Sequence, residues 1–231
     1  ISVSTSVMEF DYEGYKINIL DTPGHQDFCE DTYRTLTAVD SAIIVVDGAK
    51  GVETQTRKLM ECAACATLRL SYLSTRWTAR VATRSTCSTN WRRNFRQRAP
   101  AVMAYQHRCQ VQGVYNIYEN KLDLFKPDKQ RVTEKVEVDI NSTELEEHIG
   151  EQDAKQLRDD VELIDGVYPE FDVETYRSAE VAPVFFGSAL NNFGVQELLN
   201  CFVKIAPSPK PTKAEERTVE PEEPKFTGFI F

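Results

Sequence analysis

Two short apolar runs, each leading at once into turn-forming residues and then into a stretch of helical length, constrain this chain more than any other feature. "YKINIL" (residues 15–20) follows the turn "YEG" and runs into "DTPGHQDF"; "AIIVVD" (42–47) is a continuous apolar run of the kind shown by a strand buried on both faces. Between them lies "DTYRTLTAV", and after the second comes "TQTRKLMECAA", with Leu59, Met60, Ala63 and Ala64 at helical spacing. Strand, helix, strand, helix predicts an α/β fold with a mostly parallel sheet and flanking helices. The same grammar returns near the far end. "VAPVFFG" (181–187) reads as a buried strand, "SALNNFG" as a loop, and "VQELLNCFVKIA" as an amphipathic helix with Leu198, Leu199, Phe202, Val203 and Ile205 on one face, ended by the prolines of "PSPKP".

The chain has 231 residues and a formal net charge of −9, long enough for a substantial core and too acidic for a protein that grips nucleic acid with its whole surface. No apolar run approaches the roughly 18 residues needed to span a bilayer, so a cytoplasmic protein with no membrane contact is expected. The six cysteines are unevenly placed and do not read as a disulfide framework. Cys62 and Cys65 form a C-x-x-C, but no second pair closes a zinc tetrahedron with them.

Between the two halves stands a segment of different composition. From Cys62 to Tyr118 there are nine arginines and no Asp, Glu or Lys. Residues 113–180 then turn acidic, with a strand-like start at "GVYNIYE" and a helix-like "TELEEHIGEQDAKQLRDDVELI", and read as an inserted subdomain whose charge is a solvated surface. After the last helix, 207–224 reads as an exposed acidic linker and "KFTGFIF" (225–231) as a strand belonging to a further β-barrel. The chain begins without Met and looks cut from something longer at both ends.

In open α/β sheets, ligands bind where the strands end. The residues after "KINIL" are Asp21-Thr22-Pro23-Gly24, a D-x-x-G pattern in which a strand-end Asp can help hold Mg²⁺ through water and a glycine lets a bare N–H approach a γ-phosphate. Alone the pattern is weak, since turns after strands often read so. In sequence with "VDSAIIVVDGAKGVETQTRKLMECA" and with "SAL" after a buried strand, it resembles the nucleotide-binding motifs of the translational GTPases. "ISVSTSV", "EDTYRTLTAVD", "GVYNIYE" and "PVFFGSALNNFGV" bring it nearest to the bacterial peptide chain release factor 3 group.

The resemblance implies a P-loop GTPase-type domain (1–112 and 181–206) with GTP and Mg²⁺ as ligands. Ser2 and Asp21 would attend the metal, His25 would orient the attacking water, and Asp21, Thr22, Pro23, Gly24 and His25 would lie along the phosphates. Ser188, Ala189 and Leu190 would line the guanine pocket. It further implies a monomer acting at the ribosome, coupling GTP hydrolysis to the recycling of stop-codon-reading peptide release factors. An elongation factor G-like GTPase, a non-catalytic ribosome-binding relic and an Arg-rich RNA-binding protein are the alternatives.

The chain starts after the place of the phosphate-cradling G-x-x-x-x-G-K-[ST] loop, and where the family has its base-reading N-K-x-D loop, after a strand just past Cys65, stands "STRWTAR" (74–80). The segment as written is therefore expected to bind nucleotide poorly and to show no measurable GTPase activity. The resemblance fails over about 66–112, and a displaced reading frame explains the failure. Written with permitted codons as TCA ACA AGA TGG ACC GCG AGG and read from the third base, "STRWTAR" becomes Asn-Lys-Met-Asp-Arg-Glu. The Asp is forced, because Trp77 has one codon and every Thr codon begins AC. GAC and GAG codons displaced by one base also yield Thr and Arg, which accounts for the composition.

Overall fold

The computed structural model describes residues 4–24, 29–47, 52–65, 68–75, 102–107, 110–117, 119, 121–125, 133–136, 138–166, 171–178, 181–187 and 194–228. The chain divides into two compact units, residues 1–42, 54–69 and 206–231 in one and 43–53 and 70–205 in the other.

The first unit opens with a hairpin. β1 (Ser6–Tyr12) pairs antiparallel with β2 (Tyr15–Asp21), from Ser6 opposite Asp21 to Tyr12 opposite Tyr15. The reversal takes only two residues, Glu13 (φ 48°) and Gly14 (φ 82°). Positive φ at both central positions is the turn whose twist matches that of the strands it joins. Because side chains alternate along each strand, Met8, Phe10, Tyr12, Tyr15, Ile17 and Ile19 share one face, and Ile17 is buried there. Among the described residues β2 pairs with β1 alone.

Beyond the D-T-P-G turn comes α1 (Cys29–Leu36), with Glu30 and Asp31 in the first turn, where carboxylates favour a helix, and an Arg34–Glu30 ion pair one turn apart. α2 (Thr54–Cys65) buries Met60 and Ala63. The tail at 206–228 is mostly exposed and carries a few local contacts. The Lys210 backbone N–H donates to the Asp40 carboxylate, β10 (Thr212–Lys213) pairs with β11 (Thr218–Val219), and Arg217 bonds Glu223, whose carboxyl pKa that hydrogen bond lowers. Residues 225–228 form no strand, and 229–231 lie outside the described residues.

The second unit contains a three-stranded sheet, β3 (Ser41–Asp47), β4 (Arg69–Thr75) and β9 (Val184–Phe186) in that order, with β4 and β9 parallel and Leu73 opposite Phe185. β3 is not buried on both faces as its apolar run predicts: Val46 is buried while Val45 is 58% exposed. Among the described residues β3 is an end strand, and an end strand need not be covered on both sides.

On this sheet packs a core of Phe171, Tyr176, Val181, Phe185, Leu198 and Ile205. It joins α5 (Val173–Arg177), capped by Asp172 accepting from the Glu174 and Thr175 N–H groups, to α6 (Val195–Ile205).

A second core belongs to β5 (Val102–His107), β6 (Gln110–Asn116), β7 (Lys121–Phe125) and β8 (Thr133–Val136), an antiparallel meander in chain order, with α3 (Glu144–Ile149) and α4 (Glu151–Asp165). Tyr115, Leu122, Val138, Leu145, Ala154 and Leu157 are almost wholly inaccessible there. The sheet takes in residues 102–107, upstream of residue 113. The "TELEEHIGEQDAKQLRDDVELI" stretch forms two helices rather than one, because Gly150 (φ 88°) turns the chain between them. Arg158 closes the corner: its guanidinium donates to the Ile140 carbonyl (2.8 Å), the Ser142 carbonyl (3.0 Å) and Glu146 Oε1 (2.7 Å). Among the described residues no helix is long and apolar enough to cross a membrane.

Candidate functional site

The loop following β2 carries the groups singled out in the sequence. Asp21 is the last residue of β2, exposed, opposite Ser6 on β1. Thr22 is half-buried, Pro23 buried and Gly24 exposed. The hairpin fixes where Asp21 ends and α1 fixes where the loop must return. The four residues thus step from solvent into the protein and out again.

Nothing among the described residues requires glycine at position 24. A Cβ built on it meets nothing within 4 Å, and its φ is not in the left-handed region. An exposed carboxylate can take a hard cation and an exposed backbone N–H an anion, and Asp21 and Gly24 are both exposed. By donor type and exposure these two groups are compatible with a divalent cation and a phosphate.

Two threonines of α1 hold this loop and the start of β1. Thr32, 4% exposed, donates its hydroxyl to the Pro23 carbonyl (3.2 Å). Thr35, equally buried, bonds the Asp31 carbonyl (2.8 Å) and lies 3.3 Å from the Thr5 hydroxyl. Neither threonine was singled out in the sequence, where both read as ordinary positions of an amphipathic helix. Their i, i+3 spacing was the only available signal.

The loop after β9 is bounded at both ends by glycine. Gly187 and Gly194 are buried, and Gly194 has φ 75°. A Cβ at Gly194 would fall on the Phe186 carbonyl oxygen and 2.7 Å from the Gly187 Cα. The loop therefore starts and ends on touching backbone. Ser188, Ala189 and Leu190 lie between these ends, outside the described residues, as do Ser2 and His25. Of the sequence-derived site residues the structure brings together Asp21, Thr22, Pro23 and Gly24.

The sequence also spells N-K-L-D at 120–123, a match to the base-reading pattern that the sequence reading passed over. The structure discounts it. Lys121–Phe125 is β7, paired on both sides by β6 and β8, with Leu122 wholly buried. The base-reading loop is expected instead after a strand of the parallel sheet. β4 is such a strand, and it ends at Thr75, inside "STRWTAR".

Residues 1–72 match the family model of the elongation factor Tu GTP binding domain. The fold is that of a P-loop GTPase. A solved structure from Thermus thermophilus superposes with a TM-score of 0.69 at 18% identity, covering 89% of this chain and 32% of that one. The chain thus spans about a third of that protein's length. The matched 72 residues hold β1, β2, α1, β3 and α2, so the GTP-binding match falls on the segment that carries the Asp21–Gly24 loop.

Proposed function

We propose that the chain is part of a GTP-binding translation termination factor, in which GTP hydrolysis is coupled to recycling of stop-codon-reading release factors from the ribosome in the cytoplasm. The observation that carries this reading is the Asp21–Gly24 loop, exposed at Asp21 and Gly24 and held through Pro23 by α1, within the segment that matches the GTP-binding domain. The termination role rests on the likeness of "EDTYRTLTAVD" and "PVFFGSALNNFGV" to the release factor 3 group.

In this reading Asp21 and Ser2 attend the metal, the Gly24 N–H meets the γ-phosphate, and His25 holds a water in line for attack. Ser188, Ala189 and Leu190 face the guanine. Bound Mg²⁺ would neutralise charge developing on the phosphate oxygens. The sequence holds no G-x-x-x-x-G-K-[ST] match and "STRWTAR" in place of a base-reading Asp, so the 231 residues as written should give no GTP turnover above buffer.

The test uses the protein read through 66–112 in the displaced frame, in its full-length context. Added with GTP to ribosomes halted at a stop codon with a labelled release factor, it should speed departure of the label. No acceleration, or acceleration of translocation in its place, contradicts the termination reading.

A further inference from the structure

Among the described residues only four polar or charged residues are buried: Thr32, Thr35, Ser71 and Glu197. Two of them sit one turn apart on α1. A helical threonine commonly satisfies its hydroxyl on the carbonyl four residues back. Thr35 does so, through Asp31, and since that bond uses its proton, the Thr5 hydroxyl must be the donor in the contact between them. Thr32 reaches instead out of the helix to the Pro23 carbonyl, nine residues earlier.

The Pro23 carbonyl and the Gly24 N–H are two ends of one rigid peptide unit, and no cis peptide is present among the described residues. In a trans peptide they point in opposite directions. Whatever fixes the carbonyl on the α1 side therefore aims the N–H away from α1. Pro23 is buried and Gly24 exposed, so the aim is outward. The bond is long for O–H···O, yet Thr32 is inaccessible to water, and breaking the bond would leave a buried hydroxyl and a carbonyl without it.

We propose that Thr32 is a positioning residue: through the Pro23 carbonyl it orients the Gly24 N–H toward incoming phosphate, while Thr35 holds the start of β1 through Thr5. α1 would then set the loop and the strand start that lie nearest the metal and the γ-phosphate in the reading above, on which this assignment of a ligand rests. The orienting role itself needs no nucleotide.

The experiment is backbone ¹⁵N relaxation of the nucleotide-free chain, comparing wild type, Thr32→Val, Thr32→Ser and Thr35→Val. Thr32→Val keeps shape and removes the hydroxyl; the Gly24 amide order parameter should fall from about 0.8 toward 0.6 or below, while amides of α1 and of the β1–β2 hairpin keep theirs. Thr32→Ser should restore Gly24. Thr35→Val should loosen Thr5 and Ser6 and leave Gly24 in place. An unchanged Gly24 in Thr32→Val overturns the proposal, and so does loosening of α1 and the hairpin together, which marks a core residue only. Failure to rescue by serine overturns it as well. Because nucleotide is absent, this outcome is separate from that of the release-factor experiment, which tests the GTP reading.

Discussion

Two of the strand–loop–helix units in this chain differ in their glycines. In β9–loop–α6, Gly194 stands where any Cβ would strike the Phe186–Gly187 backbone, at a φ that side chains avoid. In β2–loop–α1, Gly24 faces open space with an ordinary φ. The first glycine is demanded by the protein's own backbone. The second is demanded by nothing inside the described structure, which leaves room for the ligand role proposed for it above. The glycines look alike in sequence; only the surroundings tell which one the backbone requires.

Substitution breaks the comparison most directly. Gly194→Ala combines a left-handed alanine with a backbone clash and should cost about 4 kcal/mol in a denaturant midpoint measurement. A loss under about 1 kcal/mol would show that the loop base relaxes freely. Next in size, Leu198→Ala, which empties a buried site on α6, should cost about 3 kcal/mol. Leu36→Ala on α1, where the leucine is half-buried, should cost less. Equal losses would remove the contrast between a helix anchored by its apolar face and one anchored partly by hydroxyls.

A pH titration sharpens the same contrast. Burial pushes the Cys201 thiol up to about 11 from its ordinary 9.0, with Lys204 opposing and Glu119 adding to the shift. The raised folded pKa gives stability that is complete below about 9 and is lost as pH rises to about 11, because the unfolded chain ionises first. Cys201→Ala should flatten that part of the stability profile. A profile unchanged between wild type and variant counts against a desolvated, half-buried thiol on α6. Smallest of all is Gly24→Ala, which should leave stability within about 0.5 kcal/mol of wild type or raise it slightly by stiffening the unfolded chain. A loss above about 2 kcal/mol in the same midpoint measurement would place Gly24 among the structural glycines.

Much of this was legible beforehand. The runs at 15–20, 42–47 and 181–187, the "YEG" turn and the helix at 195–205 all announce themselves through period and punctuation, because burial of one face and the φ demands of turns act locally. What was hidden depends on partners distant in sequence. "AIIVVD" looks doubly buried because apolarity shows in sequence and place in the sheet does not. The break at Gly150 was masked by helix-forming residues on both sides. Thr32 looked ordinary because its carbonyl partner lies nine residues away and outside the helix. The N-K-L-D at 120–123 matched a pattern and was disqualified by its strand pairing. The D-x-x-G loop could be found in the sequence, whereas the contrast between Gly24 and Gly194 needed coordinates.

The central proposal is that this is a segment of a GTPase whose base-reading loop belongs at the end of β4, where "STRWTAR" stands. Sequencing the gene and its transcript across the codons for residues 60–115 tests it most directly. The account predicts Asn-Lys-Met-Asp in one continuous frame with the flanking residues. Confirmation of Ser-Thr-Arg-Trp-Thr-Ala-Arg in both gene and transcript would contradict it, leaving a chain with no residue there to read guanine.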